Sequence, residues 1–517
     1  MSGSNQFSAK TYNFAPKIRF SGNKLEKVNE RRASMSEKGE NYWSVCLDCQ
    51  GNGKKHGKIT KKERYRYQKA REIFEQSNGL GEVPVPPKGQ LETCTNCSGS
   101  GLVRAHNYPI AAASKFPHVA IIGGGIGGVA LAVACLHRGI PFTLLERDEN
   151  FAVRSQGYGL TLQQASKAIE GFGLFKLEKG LVSRWHVVHN PEGKVVGEWG
   201  AKKWLKPDEQ AYSKRTNVHI PRQALRLAML EQLEGHPSVK WGHQLISFRT
   251  LENKQQDLTV QVNGEVKHLN ADLIVGADGI RSIVRKQLIG DNRTPLRYLN
   301  CIVILGICAI DSLKELNSPL FDSETVFQTA NGHERIYVMP FSKEEVMWQL
   351  SFPLDEEIAK ELSAKGPAAL KEEAIRRTPW HSPIPELVKA TPEALISGYP
   401  AYDREILLPA HFDQAGAATL IGDAAHPMSP FKGQGANQAL LDALMLARMI
   451  YNECSAHANW RETGLRSLIL APFEERMLER SAPKVRDSAA AADFLHTDVV
   501  LLEGNETRGG RYKRSLS

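Results

Sequence analysis

The stretch that most restricts this chain runs from His118 to Arg147, HVAIIGGGIGGVALAVACLHRGIPFTLLER. Val119 to Ile122 is a short apolar run, and Gly123-x-Gly125-x-x-Gly128 follows at once. An Ala/Leu/Val-rich run reaches Leu136, Arg138-Gly139 closes it, and a second apolar run ends in Glu146. The order predicts strand, glycine turn, helix and strand, and each part has a physical task. Gly123 makes the turn tight, and Gly125 lets the backbone approach a pyrophosphate. Gly128 lets helix and strand pack closely, while the helix start at Ile126 and Gly127 offers free N–H groups to phosphate. Glu146, followed by Arg147, stands where a carboxylate can bond a ribose 2′-OH. A chance glycine-rich turn would not bring strand, helix and acid with it. The run is apolar enough to suggest a membrane span, but the glycines and the turn in its middle argue against one.

The rest of the chain is read around this unit. Its 517 residues leave room for roughly three domains. A composition 41% hydrophobic and 24% charged can build a large core. No other apolar stretch is long enough to span a bilayer and no signal-peptide core follows the N-terminus, so a cytoplasmic protein is expected. The first 25 residues hold Lys, Arg and Ser but no acid, and an organelle-targeting peptide is the rival reading of that arm. Residues 1–110 carry 19 Lys/Arg against 10 Asp/Glu, the whole of the net charge of +9. Any attraction to acidic partners therefore belongs to the N-terminal part.

Residues 1–44 are polar, basic and without periodicity, and are expected to be a disordered arm. Two matching units follow, Cys46-x-x-Cys49-x-Gly51-x-Gly53 and Cys94-x-x-Cys97-x-Gly99-x-Gly101. Together they can give four thiolates to one tetrahedral zinc, with small glycines turning backbone N–H groups toward sulfur. No thioredoxin-like βαβ pattern surrounds either pair, which speaks against a redox CxxC, and the repeated glycines speak against accident. A zinc module is thus expected over 45–104. Its insert, residues 54–74, is strongly basic with Tyr65 and Tyr67 interleaved. That insert reads as a solvated helical arm or as a contact for an acidic protein or nucleic acid. Residues 105–115 read as a linker and 496–517 as a polar tail.

Further along, Arg154 precedes a glycine-broken GYGLTL segment and reads equally as a surface charge or a cofactor contact. Residues 181–265 mix short strands with several tryptophans, and Arg222 opens an amphipathic helix. ADLIVGADGIR, with Asp278, reads as buried strand, sharp turn and helix start. Segments between Asn300 and Pro400 suggest antiparallel strands covering a site. Another strand ends at Gly422-Asp423; Pro430-x-x-Gly433-x-Gly435-x-Asn437 and a long helix follow. His426 and Asp442 read as structural members of this motif. No acid/base pair stands out as catalytic.

The cysteine units resemble the CxxCxGxG repeats of the DnaJ-type cysteine-rich region, which has four repeats and two zincs; two repeats imply one. GGGIGG…ER, GADGIRSIVR and LIGDAAHPMSPFKGQGANQALLDA, in this order, resemble the single-component flavin monooxygenases related to p-hydroxybenzoate hydroxylase. ERDENFAVRSQGYGLTLQ and GDAAHPMSPFKGQGAN look most like the tetracycline-inactivating members. The resemblance spans roughly residues 116–490. It implies an α/β fold: a Rossmann-like FAD-binding domain, an antiparallel-sheet substrate domain and C-terminal helices, preceded by the zinc module. Within 116–495, FAD-binding segments are expected near 116–180, 266–299 and 395–450, substrate segments near 181–265 and 300–394, and C-terminal helices over 451–495. By the same resemblance, Gly123, Gly125, Ile126, Gly127 and Gly128 hold the FAD pyrophosphate, and Glu146 and Arg147 lie at the adenine ribose. Arg222 contacts the flavin side, Asp278 belongs to a motif shared by FAD and NAD(P)H, Asp423 bonds the ribityl chain, Pro430 to Gly435, with Gly433, border the isoalloxazine, and Asn437 of the same motif counts among the cofactor-binding residues. The implied reaction uses FAD, NAD(P)H and O2 to hydroxylate an aromatic or polycyclic small molecule through a flavin C4a-hydroperoxide. Alternatives are a flavin halogenase or reductase, although the halogenase WxWxIP is missing, and a chaperone-like adaptor using the flavin fold as a platform.

Overall fold

A computed structural model describes residues 42–153, 157–200 and 217–509. Val119–Ile122 is the middle strand of a five-stranded parallel sheet. Its order is Val239–Trp241, Phe142–Glu146, Val119–Ile122, Leu273–Gly276, Ala418–Leu420. VAII and LIVG are buried throughout, as continuous apolar runs must be in a parallel sheet covered on both faces. Every residue of the helix Ile126–Leu136 except Gly127 is buried. A helix apolar all round needs cover on all sides. It receives that cover from the sheet, from Gly435–Ala456 and from Arg222–Leu230.

A second layer is a seven-stranded sheet, ordered Val195–Gly200, Trp185–His189, Thr325–Ala330, Arg335–Pro340, Glu345–Pro353, Leu296–Ala309, Ile396–Arg404. Its pairs are antiparallel, except that Trp185–His189 runs parallel to Thr325–Ala330. Side chains alternate faces along each strand. Ile302 and Ile304 pack under the helices Glu356–Ala364, Pro367–Arg377 and Ile384–Ala390, while Val303 and Leu305 join Met339 and Met347 on the opposite face.

Four expectations change. The block 181–265 does not stay together: Trp185–His189 and Val195–Gly200 join the large sheet, whereas Leu245, Phe248, Leu258 and Val260 bury themselves in the parallel-sheet core. Tyr42–Val45 is not part of an arm but a strand paired with Leu102–Ala105, because Tyr42 and Trp43 have rings to pack on, Tyr108 and Phe175. Residues 105–115 are no free linker, since Tyr108 also stacks on His137 and Ala112 N donates to Gly139 O at 2.9 Å. Nor do residues 496–509 form a polar tail: Val500 is buried beside Phe494, and Gly504 N donates to Val196 O at 3.0 Å. Residues 1–41 and 510–517 of the expected arm and tail lie outside the described residues. Lys54–His56 pairs with Leu91–Thr93, and between them the helix Lys61–Gln76 buries no residue. No helix among the described residues is long and apolar enough to cross a membrane.

Candidate active site

The glycine turn is held from both sides. Gly123 has φ of 102°, and a Cβ there would lie 2.7 Å from Ala277 O. At Gly128 a Cβ would lie 1.9 Å from Gly123 O, so only glycine lets helix and strand approach this closely. Glu146 ends its strand over the turn, its Oε2 accepting from Gly124 N at 2.7 Å and its Oε1 from Asp148 N at 3.0 Å. Arg226 Nε donates to Gly124 O at 2.6 Å.

This turn forms one end of a cleft of about 250 Å³, which Ile126, Gly127, Arg147, Arg222 and Asp278 also line. Asp278 Oδ2 accepts from Ile283 N at 2.8 Å, while its Oδ1 is buried without a partner. Burial holds this carboxyl above the usual range, against the hydrogen bonds that lower it. Asp423, at the end of the fifth strand, stands at the far end of the cleft. It opens onto the cavity yet has protein around it, so desolvation raises its pKa, while His426 and Arg222 pull the other way. Below it, Asp442 Oδ2 accepts from Gly422 N at 2.9 Å and pairs with His426 Nε2 at 2.7 Å. Arg480 completes an ion pair with the same carboxylate. Burial would raise Asp442, but His426 and Arg480 outweigh it and hold the group below its ordinary value.

Beyond Asp423 lies a larger cavity of about 610 Å³. Tyr158, Leu160, Asp423, Gly435 and Ala436 line both spaces, so the two meet there. Pro430 and Gly433 line the larger one. The large sheet adds Arg335, Tyr337, Met339, Met347 and Gln349. Burial depresses His186 to about 4 and His219 to about 3, so both are neutral at physiological pH. Arg335, lowered by burial only to about 10, stays charged. Its Nε donates to Gln328 Oε1 at 2.6 Å and its guanidinium lies 5.0 Å from the Tyr337 ring centroid.

A second site stands apart. The sulfurs of Cys46, Cys49, Cys94 and Cys97 all lie within 4.8 Å of one another. Cys46 and Cys94 are 3.9 Å apart and Cys49 and Cys97 3.7 Å, close to the edge of about 3.8 Å that a tetrahedron with Zn–S of about 2.3 Å requires. Gly53 N donates to Cys49 Sγ at 3.2 Å and Gly101 N to Cys97 Sγ at 3.3 Å. The donor set and its spacing fit a closed zinc site.

Residues 117–461 match the family model described as FAD binding domain. The aurachin C monooxygenase/isomerase of Stigmatella aurantiaca is 30% identical over 345 residues, 66% of this chain and 82% of that protein. A 3-amino-4-hydroxybenzoate 2-monooxygenase of Streptomyces platensis is 27% identical over 374 residues, 72% and 85% of the two chains. The crystal structure of Klebsiella pneumoniae HpxO with FAD and uric acid aligns with a TM-score of 0.58 at 20% identity, covering 77% of this chain and 92% of that one.

This chain belongs to the FAD-dependent monooxygenases.

It is therefore an oxidoreductase, and the reading of its flavin fold as a mere platform falls away. The family match begins after the cysteine knuckles. The cleft suits FAD: a backbone cradle only glycine can form, an orphaned buried acceptor at Asp278, and a carboxylate at the junction. Asn437 takes a supporting place beside the glycine segment. It lines neither space, because its amide is spent inside the protein: Oδ1 accepts from Gln163 N and Ala165 N at 2.8 and 3.1 Å, and Nδ2 donates to Thr161 O and Gly433 O at 2.8 and 2.9 Å. It fastens the glycine segment instead. Gly128, too, lines neither space and packs against Gly123 O. Arg154 lies outside the described residues. Sequence reasoning missed Arg226, whose only signal was its position four residues after Arg222 on one helix face. It also missed Arg335 and Tyr337, which a plain alternating strand pattern does not single out.

Proposed function

We propose that this monooxygenase hydroxylates an electron-rich aromatic or polycyclic small molecule, with NAD(P)H as reductant, at the junction marked by Asp423. The shared wall of the two cavities carries the reading: a cofactor laid along the glycine cleft reaches the larger chamber only there. Bound FAD, once reduced, supplies the activation of O2 and the oxygen transfer. The chain's residues bind it, orient the substrate and exclude water. Glu146, Arg222, Asp278 and Asp423 would hold the cofactor, while Pro430 to Gly435 would border its ring. The chamber has the size of a drug-sized ligand, and Tyr337, Met339 and Met347 give it apolar walls. Arg335, charged in a chamber whose lining histidines His186 and His219 are neutral, favours a substrate with a phenolate, carboxylate or carbonyl. The names of the two relatives, an aurachin and an aminohydroxybenzoate enzyme, agree with an aromatic substrate, and the motif likeness to tetracycline-inactivating enzymes extends this to polycyclic ones.

The four cysteines bind one zinc in this reading, as a half-size counterpart of a DnaJ-type region. The basic helix Lys61–Gln76, fully on the surface, would meet an acidic protein or nucleic acid, and the protein would work in the cytoplasm.

The test is to screen phenols and aromatic acids for stimulation of NADPH oxidation, then follow product and peroxide under labelled O2. Wild type should place one O2-derived atom in the product. Asp423→Ala, saturated with FAD, should form product about 100-fold more slowly, because displaced reactants lose near-attack geometry. Its peroxide-to-product ratio should rise. A wild-type product without an O2-derived atom overturns the proposed reaction.

A further inference from the structure

Two arginines of the flavin-binding core point to a role for the cysteine cluster beyond its own folding. Arg138 follows the helix Ile126–Leu136 and is 2% exposed. Its Nη1 donates to Ala134 O at 3.0 Å, but its Nε and Nη2 are buried without a partner. Arg448 sits on the long helix Gly435–Ala456. Its Nη2 donates to Ser100 O at 3.1 Å, and its Nε is buried without a partner. Neither has a carboxylate in ion-pair reach among the described residues. Buried guanidinium groups without counter-charge are costly.

Both arginines lie against the knuckles. A Cβ on Gly51 would be 3.9 Å from Nε and Nη2 of Arg138, and one on Gly101 3.2 Å from Nη2 of Arg448. Those glycines belong to the two CxxCxGxG units, whose sulfurs are buried. A divalent ion held by four thiolates keeps about two net negative charges, which matches the two guanidinium groups in number and in place.

We infer, resting on the reading that the cysteines bind zinc, that the zinc–thiolate centre is the counter-charge of Arg138 and Arg448 and locks the knuckle module to the FAD-binding core. Both arginines belong to segments that begin at the cofactor site: Arg138 lies in the turn that ends Ile126–Leu136, which starts at the phosphate turn, and Arg448 lies on Gly435–Ala456, which starts at the cavity junction. Removing the metal centre leaves two like charges buried behind the flavin cleft. Zinc occupancy therefore sets how firmly the enzyme holds its flavin on heating.

The experiment uses full-length, FAD-loaded protein, with metal content measured and flavin release followed by fluorescence during heating, before and after a chelator. Wild type should hold one zinc per chain and release flavin several degrees lower once zinc is stripped. Arg448→Gln should lose zinc to a chromogenic chelator about tenfold faster, a difference of about 1.4 kcal/mol, and its flavin release should respond much less to stripping. Arg448→Lys, which keeps the charge, should behave like wild type. Arg138→Gln should repeat the result; should it fail to fold, the Arg448 pair decides alone. Equal zinc effects in wild type and Arg448→Gln overturn the inference while leaving the zinc reading intact. Absence of zinc in wild type overturns both.

Discussion

The knuckle cluster and the flavin cleft are both glycine-rich, and both aim backbone N–H groups at negative charge, but they rest on different supports. In the cleft, the turn from Gly123 to Gly128 is backed by a continuous apolar core that includes Val119, Ile121, Leu131, Leu273 and Leu420. In the knuckles, the buried cluster is the four cysteines themselves, with Val103 packed against it. Burial of apolar surface holds the cleft open for its ligand. The knuckles contain too little apolar surface for that, so their ligand set must serve as their core. One glycine motif thus waits for its cofactor already shaped, whereas the other takes its shape from the ion proposed for it.

The largest effect expected from this contrast is at Gly128. Gly128→Val places side-chain carbon where Gly123 O already stands, and neither backbone segment can yield without moving the parallel sheet. Overpacking of this kind costs about 1–3 kcal/mol or more, and here it also closes the phosphate turn. We expect little folded protein and no bound flavin, read from the flavin-to-protein absorbance ratio; a yellow, stable variant would show that the cleft is more pliable than its packing says. Cys49→Ser comes next. Metal binding supplies the folding energy of such a module and of that module alone, so residues 42–105 should lose amide protection and zinc while Val119–Ile122 stays protected and FAD stays bound at ambient temperature. Full protection of the knuckles without zinc would erase the difference between the two sites. Smallest is Glu146→Ala. A charge-assisted hydrogen bond is worth about 1.5–3 kcal/mol and a neutral one roughly 1 kcal/mol, so FAD titration should give a Kd about 10- to 100-fold weaker. An unchanged Kd would mean that the carboxylate serves only its backbone partners, Gly124 N and Asp148 N.

What could be read in the sequence follows the same division between local and distant order. The stretch from His118 to Arg147 declares its fold because turn, helix and strand all lie within thirty residues, and the cysteines declare their cluster because spacing within each CxxC fixes the ligands. Distant pairings leave no such mark. Alternation in WHVVH sets which side chains share a face, not that the strand will pair in parallel with Thr325–Ala330. The helices Glu356–Ala364, Pro367–Arg377 and Ile384–Ala390 stand in a stretch that reads as strands, because the apolar runs Arg335–Pro340 and Glu345–Pro353 give no sign of the helices that follow them. Asn437 shares a motif with Gly433 and Gly435, but the sequence does not reveal that its amide donates to Thr161 O, in a strand some 270 residues earlier.

The order of the parallel sheet has a consequence for how the enzyme is made. Its central strand, Val119–Ile122, is flanked by Leu273–Gly276, and that strand by Ala418–Leu420. Until the last of these emerges from the ribosome, Leu273–Gly276 is an apolar strand with one bare edge, and Asp423 has not been placed. Contacts so far apart in sequence form slowly, and an uncovered edge invites pairing with another chain. The nascent chain must therefore pass more than four hundred residues of synthesis before the strand that leads to Asp423 completes the flavin cleft.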